Sequence, residues 1–425
     1  MKGACGVALF LIVLQALTQA GELASREGSL GTWEDTGSYA VFYPRSVGED
    51  LGEIEAGGHA SKAAEAGPLY EALDAAGALF VDASAYEAGG PSEDPTGGVE
   101  PPRPVIRVNA NYLERYPLLD ADGGRVGVAP EETAWVVAVP ETYRDQEERL
   151  RELFTARRIG SGGVDGAVQA SEGMLGSAPP DRFREQAVRI VWTAAGQRVF
   201  GFSTLVAPED GHLVEDPIVE VMTPSNSLPV DRLNAVTGEL NAPLKVPVGA
   251  DPAGTLRSLQ PMLAELRLQD NLRHLVTTHE AVLGELRQLQ AALSGSVAAA
   301  VVAFLALTVL GVALVAIVCD RDRLRLTVRR LHGHGFWRTH RETLALLGGV
   351  WGAQLIVAVG FLAVRQLRPA PVGGAPAGSA GAGGWEALPP LLAVAGACAL
   401  VELCLAAAAV LVLERRHLAR RLREL

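Results

Sequence analysis

Few residues in this chain have the type and placement to do chemistry, and the most conspicuous lie in apolar surroundings. Gln354 and Glu402 fall inside long apolar runs. A carboxylate in a bilayer interior is costly, so its presence points to a function or to a specific partner. Glu402 suits a polar cleft, or equally a satisfied contact within a helix bundle. His332-Gly333-His334 places two imidazoles two residues apart in a basic segment, and reads as incidental rather than as a metal site. The four cysteines, Cys5, Cys319, Cys398 and Cys404, all lie in or beside apolar runs. The polar part of the chain therefore has neither a disulfide framework nor zinc-type spacing. The patterns GxxxxGK[ST], HExxH and GxSxG are absent. The expectation is a protein that is not an enzyme and carries no metal or cofactor.

These residues must be held by elements that the apolar pattern outlines. The chain has 425 residues, of which 48% are hydrophobic, and a formal charge of −12. Acid is concentrated in the first two thirds while the last third is locally basic, which argues against nucleic acid as a partner. Residues 1–20 form a short apolar run behind Lys2, either a cleaved signal peptide or a retained N-terminal transmembrane helix or signal anchor, with retention preferred. Further spans are expected at 295–318, 343–365 and 387–413. Between spans three and four lies a Gly/Pro/Ala linker, 366–386. The fold class expected is an α+β membrane protein with four transmembrane helices, one N-terminal and three C-terminal.

The region 21–260 reads as one large mixed α/β domain. Strand-like runs rich in Val and aromatics occur at Tyr39–Tyr43, Ala78–Asp82, Val105–Val108, Trp135–Val139, Val188–Trp192, Val199–Phe202 and Ile218–Met222. Helical patterns fall at Ala60–Ala76 and Thr142–Arg157. Gly89–Pro104 and Gly160–Pro180 read as loops, and Pro224–Pro252 as a wrapping segment.

A stalk helix is expected over 261–294. Leu268, Leu272, Leu275, His279, Val282, Leu286, Leu289 and Leu293 alternate steps of four and three, an a/d seam in which only His279 is polar. Pro261 fits a first helical turn. Continued to Val318, such a helix would be about 85 Å long. It leads into the basic segment 319–342, where Arg321, Arg323, Arg325, Arg329, Arg330, Arg338 and Arg341 interleave with Leu324, Leu326, Val328, Leu331, Phe336 and Trp337. The tail 414–425 holds Arg415, Arg416, Arg420, Arg421 and Arg423. By the positive-inside rule the loop and tail are cytoplasmic, and the α/β domain is extracytoplasmic in a multi-pass plasma-membrane protein.

The order of one N-terminal span, a large outer domain, a stalk entering span two and two further spans resembles the FtsX/MacB-type permeases of ABC transporters. The run Leu324-Arg325-Leu326-Thr327-Val328-Arg329-Arg330-Leu331-His332-Gly333 resembles the loop that contacts the ATP-binding subunit in those proteins. A closer resemblance is to the bacteriocin-associated integral membrane protein family of immunity or export permeases. Asn109-Ala-Asn-Tyr-Leu113, Val139-Pro-Glu-Thr-Tyr143, Gly196-Gln-Arg-Val-Phe200 and Asp216-Pro-Ile-Val-Glu220 are similar to its outer-domain signatures, and Arg330-Leu-His-Gly333 with Phe336-Trp337 to its loop. The resemblance implies a separate ABC-type ATPase partner that contacts Leu324, Arg325, Val328, Arg329, Arg330, Leu331, Gly333, Phe336 and Trp337. It also implies pairing, as a homodimer or with a second permease, and a peptide or lipophilic cargo at the lipid bilayer. The alternative is a non-transporting receptor or regulator that signals through the stalk.

Overall fold

Four helices are long and apolar enough to cross a membrane, with candidate spans at Lys2–Ala24, Thr278–Arg321, Arg338–Gly360 and Leu388–Val412. By length and composition these are the helices of a membrane protein, and they accompany a mixed α/β sheet domain. The computed structural model describes the chain apart from residues 1, 35, 88–100, 161–164, 176–177, 250, 323–327, 330–331, 333–334, 368–387 and 425. Two units result. One comprises Met1–Ala24 with Arg287–Leu425, the other Ser25–Leu286.

The helical unit is built from α1 (Lys2–Glu34), α9 (Thr278–Arg321), α10 (Phe336–Leu367) and α11 (Leu388–Glu424), the first two shared in sequence with the other unit. Its interior holds Leu9, Phe10, Leu14, Leu307, Trp351, Ala358, Leu391 and Ala395. A second cluster joins Val315, Leu347, Ala406 and Val410.

The α/β unit contains an eight-stranded mixed sheet of order β10-β1-β9-β2-β3-β8-β4-β5. The strands are β1 (Tyr39–Phe42), β2 (Leu79–Asp82), β3 (Val105–Asn109), β4 (Trp135–Pro140), β5 (Val188–Thr193), β8 (Ile218–Met222), β9 (Leu244–Pro247) and β10 (Leu275–Thr277). The pairs β3·β8 and β4·β5 are parallel and the others antiparallel. A separate hairpin joins β6 (Arg198–Phe200) and β7 (Leu213–Glu215). β4 and β8 are buried along their whole length, as strands covered on both faces must be, and β4 reads as a continuous apolar run while β8 is interrupted only by Glu220.

One sheet face packs Phe80, Trp135, Val137, Val139 and Val246 against α4 (Tyr70–Ala75), α6 (Glu147–Ile159) and α8 (Pro252–Glu265). Shorter helices occupy Leu51–Glu55 (α2), Ala60–Ala64 (α3), Ala110–Arg115 (α5) and Ala167–Leu175 (α7). α7 lies within a stretch read as loop, because its Gly- and Ser-rich flanks mask a short helical run. A second aromatic group gathers Trp33, Tyr39, Tyr112, Tyr116, Phe200 and Phe202.

The expected stalk over 261–294 is corrected by the structure. Pro261 lies inside α8 rather than at the start of a rod. α8 stops at a Schellman cap: Arg267 N–H donates to the Ala264 carbonyl at 3.1 Å, and Leu268 N–H to the Leu263 carbonyl at 2.7 Å. Arg267 takes the left-handed position with φ 57°, and Leu263 meets Leu268 in the core, the apolar contact that accompanies this motif. Leu268 and Leu272 are therefore core residues of the α/β unit, and Leu275 lies in β10, paired with Phe42. The 4-3 spacing arose from three different elements.

The helix that continues toward the apolar span begins at Thr278. Thr277 supplies its cap, accepting the Glu280 N–H at 3.2 Å while donating its hydroxyl to the Glu280 carboxylate at 3.0 Å. Of the seam, His279, Val282, Leu286, Leu289 and Leu293 belong to this helix. Val282 and Leu286 are buried, and the other three are partly exposed.

Candidate functional site

Glu402 is the most completely enclosed acid of the helical unit among the described residues, with its side chain 1% exposed. It is placed there because every element around it is apolar except at the point of contact. From α1, the Lys2 ammonium donates to Glu402 Oε1. From α10, the Trp351 indole N–H donates to Glu402 Oε2 at 2.6 Å. From α9, Gly311 leaves room: a Cβ there would collide with Glu402 Oε1 and stand 3.1 Å from Lys2 Nζ. The carboxylate on α11 thus engages all three other helices.

One turn away, Gln354 extends this arrangement. Its amide Nε2 donates to the Lys2 carbonyl at 3.2 Å. The same amide fills the space that a side chain at Gly6 would need. Phe10 meets the edge of Trp351 with centroids 5.6 Å apart and planes at 88°, which holds the indole in the orientation that serves Glu402. Small residues where helices approach and polar residues where they bond are the usual means of association in lipid.

The energetics decide what such a cluster can do. In hydrocarbon an isolated carboxylate costs several kcal/mol, whereas a carboxylate with a cation and a second donor is compensated. Removing either partner leaves the other uncompensated, so the junction resists separation of its helices. Among the described residues no group of three or more His, Cys, Asp or Glu could hold a metal ion.

Sequence reasoning found Glu402 and Gln354 and missed their partners. Lys2 read only as a topology marker, and Gly6, Gly311 and Trp351 carried no signal. The contact between Lys2 and Glu402 joins positions 400 residues apart, and a single sequence has no periodicity at that range.

The expected coupling segment is described only in part. Val328 is exposed and Arg329 pairs with Glu342 at 3.1 Å. Leu324, Arg325, Arg330, Leu331 and Gly333 lie outside the described residues, as does nearly all of the linker 366–386. Phe336 and Trp337 stand in the first turn of α10.

In the α/β unit, the segments likened to outer-domain signatures have structural duties. Asn109 caps α5 by accepting the Tyr112 N–H at 3.1 Å and binds Phe80 N–H and the Ala78 carbonyl. Asp216 accepts the Gly196 and Gln197 N–H groups, closing the turn into β6. Glu220 pairs with Arg107 at 3.1 Å. Asp231 receives Arg158 at 2.6 Å, and Arg158 in turn stacks on Trp135 at 3.9 Å. Burial would raise the Asp231 pKa, but Arg158 and Arg107 hold it below the ordinary carboxylate value. This network is a buried core feature in which the Trp135 indole N–H and one Arg158 nitrogen have no hydrogen-bond partner among the described residues.

Compared with known protein families and with curated proteins, the chain matches none.

Proposed function

We propose that this chain is the permease-like membrane subunit of an ABC transporter of the FtsX/MacB type, working by mechanotransmission. A separate ATPase binds the arginine-rich segment that follows α9, and its movement is carried along α9 to the α/β unit on the other side of the membrane. The arginine distribution supports this sidedness through the positive-inside rule. The cargo is a peptide or lipophilic compound, in keeping with the resemblance to bacteriocin-associated export or immunity permeases.

The observation that carries the reading is α9 itself. One helix of 44 residues starts at a threonine cap on the last residue of a sheet strand and ends at Arg321, where the basic segment begins. A helix of that length spans roughly 65 Å, about twice the hydrocarbon thickness of a bilayer. It has enough length to cross and to project. The Glu402 junction supports the same reading, because a locked bundle moves as a body rather than dissipating displacement among loose helices.

Affinity purification of the full chain from native membranes tests the proposal. Recovery of an ABC-type ATPase, weakened by Trp337→Ala, is the expected result. Recovery of a kinase or hydrolase in its place would support a receptor, and recovery of no ATPase would refute the transport reading.

A further inference from the structure

Lys245 lies in β9, and its side chain is wholly inside the α/β unit, with 0% exposure. Among the described residues its amine nitrogen has no hydrogen-bond acceptor. The nearest described aromatic surface is the Phe202 ring, whose centroid lies 5.8 Å from Nζ. A buried amine with no acceptor is among the least stable arrangements a domain can hold, since neither water nor protein replaces its lost hydration.

The segment that begins at Phe202 is itself under strain. Phe202, Ala207, His212 and Asp216 all have positive φ, at 49°, 38°, 64° and 47°. Asp and His tolerate the left-handed region, but Phe and Ala do so at a cost on the order of 1 kcal/mol each. Four such residues fall within fifteen positions, against a single other non-glycine case in the described residues, Arg267.

Glu87 is the acid that acts on Lys245, yet it is engaged elsewhere. Its Oε1 accepts the Ser203 hydroxyl at 2.7 Å and the Asn241 amide at 2.9 Å. Its backbone forms a bridge with Val206. Glu87 thus fastens Ser203, at the start of the segment 202–216, and Asn241 through its Oε1. Phe202 and Asn241 also line a hollow shared with Thr278, Ala281, Val282 and Glu285 of the first turns of α9.

We propose that Lys245 is a proton-operated release: when its amine takes up a proton, Glu87 exchanges Ser203 and Asn241 for Lys245, and the segment 202–216 lifts from the sheet. The lifted segment removes Phe202 from the hollow beside the start of α9, so the proton acts on the part of the α/β unit from which that helix departs. The device lies entirely within the α/β unit and stands whether or not an ATPase partner exists.

The direction follows from linkage. Burial pushes the Lys245 amine down to about 7 from its usual 10.5, with the Glu87 charge opposing. Between those values the open form holds a proton that the closed form lacks, so opening becomes easier as pH falls from 10.5 to 7. Three other groups in this layer are shifted, and act outside that window. His212 is lowered by burial below its usual 6.5, against the hydrogen bond to the Val206 carbonyl. Burial raises Tyr39 and Tyr112 above the ordinary phenol value. Tyr116, Arg115 and Arg26 complete the ring and charge set of the layer.

The test is hydrogen exchange, read by mass spectrometry, of the full chain in lipid nanodiscs from pH 7 to 9.5. Rates are corrected for intrinsic exchange at each pH. Protection of 202–216 should rise about tenfold per pH unit in the wild type and stay flat in Lys245→Met, with Lys245→Leu as a second variant should methionine disturb β9. Glu87→Gln keeps an acceptor for Ser203 and Asn241 but deprives the open form of its ion pair, so protection at pH 7 should increase several-fold. A flat wild-type profile, or the same slope in the Lys245 variants, would overturn the release. Unchanged or lower protection in Glu87→Gln would overturn the exchange of partners.

Discussion

Two of the chain's three lysines are withdrawn from water, and they are treated in opposite ways. Lys2, in the helical unit, meets a carboxylate; Gly311 removes a side chain so that the two can approach, and Trp351 supplies a second donor. Lys245, in the α/β unit, meets an aromatic ring and, among the described residues, no acceptor, while Glu87, the acid that acts on it, accepts from Ser203 and Asn241. The first arrangement is stable only while its members stay together. The second is unstable until something moves. A buried lysine is therefore a fastening or a release according to whether its partner is in place, and this molecule contains one of each.

The largest expected effect breaks the fastening. Glu402→Leu leaves the Lys2 ammonium and the Trp351 N–H without an acceptor inside the bundle, and should cost about 3–5 kcal/mol. Thermal unfolding of the purified chain in detergent measures it. Adding Lys2→Met to that variant should recover most of the loss, because a pair replaced by apolar groups carries no orphaned charge. A single variant as stable as wild type would erase the contrast between the two lysines.

Lys245→Met should move stability the other way. The folded-state pKa of this amine lies below its unfolded value, so its penalty is complete below about pH 7 and shrinks as pH rises from about 7 toward 10.5. The substitution should stabilise the α/β unit by a few kcal/mol at pH 7 and by much less near pH 10. Urea midpoints at the two pH values give the sign. Destabilisation at pH 7 would show that the amine has a partner after all.

Gly311→Val sharpens the account of the junction. It places carbon where Glu402 Oε1 now lies, and should cost about 1–3 kcal/mol through displaced packing. Combined with Glu402→Leu it should cost less than the sum of the two, since the displaced atom is already gone. Additivity would mean that Gly311 serves some other contact.

The smallest effect concerns the acid limb of the α/β unit. Burial tends to raise Asp50, but the Gly48 N–H, Asn271 and Arg45 lower it from 3.8 to about 2. The stability it contributes is complete above about pH 4 and is lost as pH falls toward 2. Asp50→Asn should flatten the acid unfolding curve in that window and leave it unchanged above pH 5.

What could be read beforehand follows from the range of the interactions involved. β4 was legible because burial on both faces writes a continuous apolar run into the chain, and β8 because the same run is broken only by Glu220. The four long helices were legible because hydrocarbon demands about twenty apolar residues in a row. β9 escaped notice because Leu244-Lys245-Val246-Pro247 carries a lysine and lies among prolines, and because its strand character comes from β1 and β2 on either side. β10 escaped because Leu275 also fits a heptad. The local sign that separates them was present: the Thr277 side chain caps the Glu280 N–H, which starts a helix there and ends whatever preceded it. Arg267 hid the other boundary, since it occupies a left-handed cap position where glycine is usual. The junction itself was half legible. Glu402 announced a partner by its cost in an apolar run, but only the assembled helices bring Lys2 and Trp351 to it.

The account depends most on the two ends of α9 facing different compartments. With the four native cysteines replaced, single cysteines at Asp122, an exposed turn of the α/β unit, and at His332, in the arginine-rich segment, can be challenged with a membrane-impermeant maleimide on intact cells. Asp122→Cys should label at once, and His332→Cys only after the membrane is permeabilised. Labelling of both positions from the same side would contradict the proposed transmission.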